Sequence, residues 1–236
     1  MITTILFDLD GTLLPMDQDR FIQSYIGRMA KKLAPYGYAP HLLTKGLWAG
    51  TGAMVKNDGS QTNEDVFWNV FNALLGRDCR GDEPLFTDYY AHEFQQVAGD
   101  CGFDERAAEA IREIKSLGYH VALATNPLFP AIATHSRAKW AGLDTRDFDL
   151  ITTYENSRFC KPNPGYYREV LEKLGKDPET CLMVGNDVDE DMIPARSLGM
   201  KTFLLTDCLI NKSGADISEF PGGGFGELKD FLLEQL

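Results

Sequence analysis

Near the start of the chain the stretch FDLDGTLL, residues 7–14, sets two carboxylates one residue apart, Asp8 and Asp10, and follows them at once with Gly11 and Thr12. Like charges crowded at the end of an apolar run are unfavourable unless a cation or a reaction uses them. Three further polar clusters follow other apolar runs or turns. Thr125-Asn126 ends VALAT, Lys161 sits in FCKPNPG, and Asn186-Asp187 ends CLMVG with Asp189 and Asp191 close behind. In an open α/β sheet the ligand site lies beyond the carboxyl ends of the strands, so these sequence-distant clusters fall on one rim. Each has a plainer reading when taken alone. The Asp pair suits a turn, Lys161 a solvated surface, Thr125 and Asn126 the cap of a helix after Pro127, and DVDED a solvated loop. Their joint placement favours a site.

The elements that must position them follow from the apolar pattern. ITTILF, YHVALAT, FDLITT, CLMVGN and KTFLLT read as strands buried on both faces. Helical patterns alternate with them. ERAAEAIREIKSLG carries apolar residues at Ala107, Ala110, Ile111, Ile114 and Leu117, and NPGYYREVLEKLG, MIPARSLG and FGELKDFLLEQL behave alike. This order predicts an α/β fold with a doubly wound, mainly parallel sheet. From residue 16 to residue 98 the pattern is helical only: DRFIQSYIGRMAKKLAPYG, PHLLTKGLWAG, a helix opened by Thr62 with Asp65 in a capping box, and PLFTDYYAHEFQQV. That block is too long for a loop and predicts a second, smaller helical domain, residues 16–98, inserted in a core of residues 1–15 and 99–236. Trp48, Phe67, Trp68 and Phe71 read as packing residues of the insertion, with a substrate-facing place as the alternative, and KGLWAGTGAMVKNDG, which mixes glycines with Trp48, Lys56 and Asn57, reads as the stretch of the insertion to bear on substrate preference. PGGGFG, residues 221–226, reads as a turn, since no GK[ST] follows it.

Composition narrows the function. With 236 residues, 44% hydrophobic and 25% charged, the chain suits one sizeable globular domain carrying an insertion. A net charge of −12 argues against a nucleic-acid partner. No apolar run is long enough to span a bilayer, and MITTILFDLD lacks the basic start and cleavage site of a secretory signal, so a cytoplasmic location without membrane partners is expected. The five cysteines form no CxxC pair, which predicts reduced thiols rather than disulfides or a zinc knuckle. His41, His92, His120 and His135 have no HExxH spacing and no GxSxG occurs, so zinc-protease and serine-hydrolase chemistry have little support.

In order and context the four clusters resemble the motifs of the haloacid dehalogenase (HAD) superfamily. FDLDGTLL is similar to the first motif, ATN to the second, CKPNPGYY to the third and VGNDVDEDM to the fourth, and the helical insertion resembles the family's helical cap. The resemblance implies a HAD-like Rossmannoid core and a Mg2+-dependent phosphatase acting on a small phosphorylated metabolite through an aspartyl phosphate. It implies Asp8 as nucleophile and Asp10 as the acid that protonates the departing alcohol and then the base that activates water. Lys161 would offset charge on the transferring group, and Thr125 and Asn126 would donate hydrogen bonds to its oxygens. Asp8 and the main-chain carbonyl of Asp10 are the implied magnesium ligands, with a third from the fourth motif. Here the chain departs from the common pattern. Asn186 falls in the usual ligand place but brings no charge, so Asp187 is favoured as the direct ligand with Asn186 kept open, and Asp191 is assigned to hold Lys161 or a metal-bound water. A phosphomutase, or a non-catalytic phosphate-binding or interaction protein with a weakened metal site, remains the alternative. A dehalogenase is disfavoured because Asp10 supplies an acid that halide departure does not need. A monomer or weak dimer is expected.

Overall fold

Alternation along the first strand explains the layers. In β1 (Thr4–Phe7), Ile5 and Phe7 belong to one apolar cluster and Leu6 to another, as expected where successive side chains point to opposite faces of a sheet. The computed structural model describes residues 1–234. It continues with β2 (His120–Leu123), β3 (Leu150–Ile151), β4 (Cys181–Gly185), β5 (Lys201–Leu205) and β6 (Gly222–Gly223). These form one six-stranded sheet, ordered β3-β2-β1-β4-β5-β6, in which every pairing is parallel. The order reverses at β1 and β4, so the ends of those strands mark the crevice where α/β folds place ligands.

The insertion supplies α1 (Gln18–Leu33), α2 (Pro40–Val55), α3 (Asn63–Leu75) and α4 (Glu83–Ala91), and a 3₁₀ stretch over Glu93–Asp100. Its apolar residues form a cluster of their own that also takes in Ala133, Tyr154 and Cys160 from the sheet-bearing part. Around the sheet lie α5 (Glu105–Ser116), α6 (Ala131–Trp140), α7 (Pro164–Leu174), α8 (Ile193–Ser197) and α9 (Phe225–Leu233). α5 and α9 pack with Ile5 and Phe7, and α7 with Leu6. Among the described residues no helix is long and apolar enough to cross a membrane, and all five cysteines are free thiols.

Several local expectations are corrected. PGGGFG is not only a turn: Gly222 and Gly223 pair in parallel with Leu204 and Leu205 as an edge strand. β3 is two residues long and half-buried rather than a run buried on both faces. α2 runs on through Val55, so much of the KGLWAGTGAMVKNDG stretch is helix. The capping box at Thr62 is half made. Thr62 Oγ1 accepts from the Asp65 N–H at 3.2 Å, but the Asp65 carboxylate turns to Arg80, 2.5 Å away. The last two residues of FGELKDFLLEQL lie outside the described residues.

Candidate active site

Asp8 stands one residue beyond β1, at the centre of the sheet, and is buried. Its N–H still donates to the Val184 carbonyl of β4 at 2.9 Å, which fixes the backbone. The ladder then stops. The Leu9 carbonyl gathers the N–H groups of Thr12, Leu13 and Leu14, and this curl requires Gly11 at φ +85°, a conformation that side chains other than glycine resist. A Cβ on Gly11 would also lie 2.4 Å from Asn186 Nδ2. The first and fourth motifs are therefore packed in contact through a glycine.

Asp8 Oδ1 accepts from Lys161 Nζ at 2.9 Å, and Lys161 Nζ also donates to Asp191 Oδ1 at 2.6 Å. Lys161 and Asp191 are each 1% exposed, so the ion triad is shielded from water. Asp191 reaches this position because β4 ends in Gly185, where a Cβ would overlap Asp191 Oδ2 at 2.1 Å. Asp191 Oδ2 in turn accepts the N–H of Asp187 at 3.1 Å. Burial pushes the Asp191 carboxyl above the ordinary carboxylate range, with Lys161 opposing and the Asp8 charge adding to the rise. Desolvation alone would lower the Lys161 ammonium, but Asp191 and Asp8 together outweigh it and hold its pKa well above normal.

Thr12 joins two sequence-distant acceptors. Its hydroxyl lies 3.2 Å from Asp8 Oδ2 and 2.9 Å from Asn186 Oδ1, while Asn186 Nδ2 donates to the Cys208 carbonyl at 2.7 Å. The amide orientation thus turns Oδ1 toward Asp8. Asp187 Oδ1 is otherwise engaged, capping the following turn by accepting from the N–H groups of Asp189 and Glu190 at 2.9 and 3.0 Å. Asn126 accepts from the Lys161 N–H at 3.2 Å and donates to Glu190 Oε2 at 2.9 Å. Neither Thr125 nor Asn126 caps the next helix. α6 begins at Ala131, whose N–H is taken by the Glu155 carboxylate at 2.8 Å.

Asp10 opens the other side of the site. It is not on an extended strand with Asp8, since β1 ends at Phe7, yet both carboxylates line the same cavity. Asp10 Oδ2 accepts from Arg137 Nη1, and Asp10 Oδ1 is buried without a hydrogen-bond partner. Burial pushes the Asp10 carboxyl up, Arg137 pulls it down, Asp8 adds to the rise, and the net direction is upward. Arg137 is wholly buried on α6, its guanidinium carbon 4.3 Å from the centroid of the Phe129 ring.

The cavity over these groups measures about 240 Å3. Asp8, Asp10, Thr125, Asn126, Asn186, Asp187 and Asp191 all line it, and Lys161 meets it only through Asp8 and Asp191. Trp48, Phe67 and Trp68 line it as well, Phe67 and Trp68 while packed in the core of the helical part, where Phe71 stays without reaching the cavity. Lys56 does not reach the cavity, and Asn57 is committed to Asn63 Oδ1 at 2.9 Å. None of the four histidines lines it.

Three polar residues of the site escape motif reasoning. Thr12 is visible in DGTLL but has no role until Asn186 is brought beside it. Glu190, whose carboxyl burial pushes up, hides in an acidic run that reads as solvated. Arg137 does leave a sign. It falls four residues after Ala133 and four before Ala141, on the apolar face of α6, and a charge on a core-facing stripe demands a partner.

A parallel sheet presenting a buried Asp–Lys–Asp cluster at its switch point, beside a cavity that a helical insertion also lines, defines an α/β protein with a candidate hydrolytic site. The chain belongs to the haloacid dehalogenase-like hydrolase family, whose model matches residues 2–199. It is 24% identical over 201 residues to pyrophosphatase PpaX of Bacillus velezensis, covering 85% of this chain and 82% of that protein. It is 26% identical over 204 residues to phosphoglycolate phosphatase of Aquifex aeolicus, covering 85% and 83%. Among solved structures, a 2-haloacid dehalogenase from Pseudomonas syringae superposes with a TM-score of 0.62 at 18% identity, covering all of both chains. A HAD phosphatase from Thermococcus onnurineus superposes at 0.58 with 21% identity, covering 98% of each. These likenesses in structure concern the fold.

Proposed function

We propose that this enzyme is a magnesium-dependent phosphatase that cleaves a small phosphomonoester through an aspartyl phosphate on Asp8, with residues 16–98 as a cap over a catalytic core of residues 1–15 and 99–236. The observation that carries this reading is Asp8 itself, a carboxylate on the cavity floor held by the buried ammonium that it shares with Asp191. An Asp8 oxygen attacks phosphorus as the ester P–O bond breaks, and Asp10 gives its proton to the departing alkoxide. Water then attacks phosphorus, Asp10 takes its proton, and the bond to Asp8 breaks to release phosphate. Thr125 and Asn126 orient the phosphoryl oxygens, and Asp191 keeps Lys161 in place.

The donor set fits a hard cation. Asp8 Oδ2 and Asn186 Oδ1 converge on the Thr12 hydroxyl, and both are oxygen donors. Magnesium takes one or two carboxylates, keeps waters and draws on substrate phosphate, which a set of one carboxylate, one amide oxygen and a main-chain carbonyl can meet. When bound it supplies positive charge between the Asp8 carboxylate and the phosphoryl oxygens. Asp8, Asn186 and the main-chain carbonyl of Asp10 would hold it. The geometry favours Asn186 over Asp187, because Asp187 Oδ1 is spent on capping and leaves Oδ2 for outer support.

Turnover of a generic aryl phosphate, with stoichiometric release of inorganic phosphate, is expected to need magnesium and to stop on chelation. Phosphate release also separates hydrolysis from transfer to a second hydroxyl. In magnesium titrations Asn186→Ala should raise the half-maximal concentration about 10- to 100-fold and Asp187→Asn by less. The reverse ranking would make Asp187 the direct ligand, and unchanged metal demand in both would move the metal elsewhere.

Arg137 acts on the reaction through Asp10, as a positioning residue. Arg137→Met should lower kcat by about 10²-fold, the scale of general acid–base assistance, with little change in KM, and Arg137→Lys should recover part of it. Because Arg137 pulls the Asp10 pKa down, its loss should also move the Asp10 limb of the pH–rate profile to higher pH. A thermal destabilisation with unmoved kcat and profile would reduce Arg137 to a packing role.

A further inference from the structure

The cavity has two chemically distinct halves. Its floor carries the carboxylates of Asp8, Asp10, Asp187, Glu190 and Asp191. Its walls are aromatic: Phe21 and Tyr25 from α1, Phe67 and Trp68 from α3, and Phe129 and Tyr154 from the sheet-bearing part. Among the described residues that line it there is no lysine, arginine or histidine. The nearest cations are already committed, Lys161 between Asp8 and Asp191 and Arg137 to Asp10.

We propose that the leaving group of the substrate is an uncharged alcohol carrying a flat aromatic ring. This rests on the phosphatase reading and names the substrate class within it. The phosphoryl group of such an ester meets the polar floor, where the metal and the motif residues receive it. A second anionic group on the alcohol would sit among aromatic walls, above a floor of acids, with no counter-ion. Such a charge is disfavoured both by desolvation and by like-charge repulsion. A polyhydroxylated alcohol would lose water at the aromatic side of the wall, where the hydroxyls of Tyr25 and Tyr90 already bond each other at 3.0 Å, and would find replacement only toward Gln18 and Thr51.

Geometry supports a ring in particular. Tyr25 and Phe129 meet edge to face at 5.3 Å and 63°, and Phe67 and Trp68 at 5.5 Å and 82°. The wall is thus built of aromatic rings already packed edge to face, surroundings in which a further aromatic ring packs well. Burial raises the Tyr154 hydroxyl's pKa and the indole N–H of Trp68, itself 2% exposed, lies close enough to oppose the rise, so that donor is turned to the wall itself and the ring's part is packing. Pyrophosphate and phosphoglycolate, the compounds for which two of the relatives are named, lack a ring and carry a second anion.

The test compares matched alkyl phosphates with magnesium present. Benzyl phosphate should exceed 4-carboxybenzyl phosphate, 2-phosphoglycolate and pyrophosphate in kcat/KM by at least about 100-fold, the discrimination expected when an unpaired polar group is buried. It should also exceed cyclohexylmethyl phosphate, which has the bulk without the ring electrons. Thr51→Lys, which sets an ammonium on the α2 side of the cavity, should narrow the gap between the benzyl and 4-carboxybenzyl esters by about tenfold or more. Equal or better turnover of any doubly anionic ester by the unaltered enzyme would overturn the proposal, and parity with the cyclohexylmethyl ester would overturn its aromatic part. If no ester turns over, the phosphatase reading fails instead. Calorimetry on Asp8→Asn then still decides the ligand class: tighter binding of benzylphosphonate than of 4-carboxybenzylphosphonate supports it, and equal affinity overturns it.

Discussion

Asp8→Asn is expected to abolish turnover, lowering kcat by at least about 10³-fold, while leaving the fold and substrate affinity near those of the unaltered protein. The amide is nearly isosteric but is a poor nucleophile at phosphorus. Folding tolerates it because its surroundings keep their partners. Lys161 retains Asp191 at 2.6 Å, the Asp8 N–H still donates to Val184, and Thr12 still finds Asn186 Oδ1. Single-turnover kinetics with radiolabelled ester should show no phosphorylated protein in the variant and a transient one in the unaltered enzyme. Activity within about tenfold of the original would exclude Asp8 as the nucleophile, since losing a nucleophile costs far more than losing a positioning contact.

What the sequence made legible, and what it did not, divides along physical lines. Strands were readable because a sheet buried on both faces needs continuous apolar runs, and ITTILF and CLMVG are such runs on either side of the switch point. The edge was not. Gly222 and Gly223 have no side chains to show a period, and only pairing to Leu204 and Leu205 makes them a strand. Within the site, residues next to a strand end declare themselves, as Asp8 and Asn186 do. Residues that enter from a helix face do not. Arg137 reaches Asp10 across 127 positions, and spacing cannot express that distance. Side-chain orientation at Asn186 and Asp187 was not legible either: the Cys208 carbonyl fixes one amide, and two N–H groups claim one carboxylate oxygen. The aromatic wall was visible as residue types but not as a wall. Phe67, Trp68 and Phe71 lie within about one turn of α3, yet only the first two line the cavity.

Lys161→Met should have the largest combined effect, on stability and on rate. Among the described residues the ammonium is the only cation paired with Asp8 and Asp191, and all three groups are buried. Removing one partner of a buried ionic cluster leaves charge without compensation, which costs about 3–5 kcal/mol. The pH dependence identifies the cause. The folded-state pKa of Asp191 is already raised from its ordinary 3.8 by burial, with Lys161 opposing that rise, so the variant's value climbs further. A carboxyl with a raised folded-state pKa binds its proton more tightly folded than unfolded. Its stabilising effect is therefore greatest in acid and is lost as pH rises from the unfolded value through the folded one. Urea unfolding in chelator should show Lys161→Met much closer to the unaltered protein at pH 5 than at pH 8. An equal deficit at both values would mean that lost packing, not an uncompensated carboxylate, destabilises it. Activity should not recover in acid even where the fold does. A protonated Asp191 relieves the buried charge, but Asp8 Oδ1 has then lost the ammonium that holds it in place for attack on phosphorus.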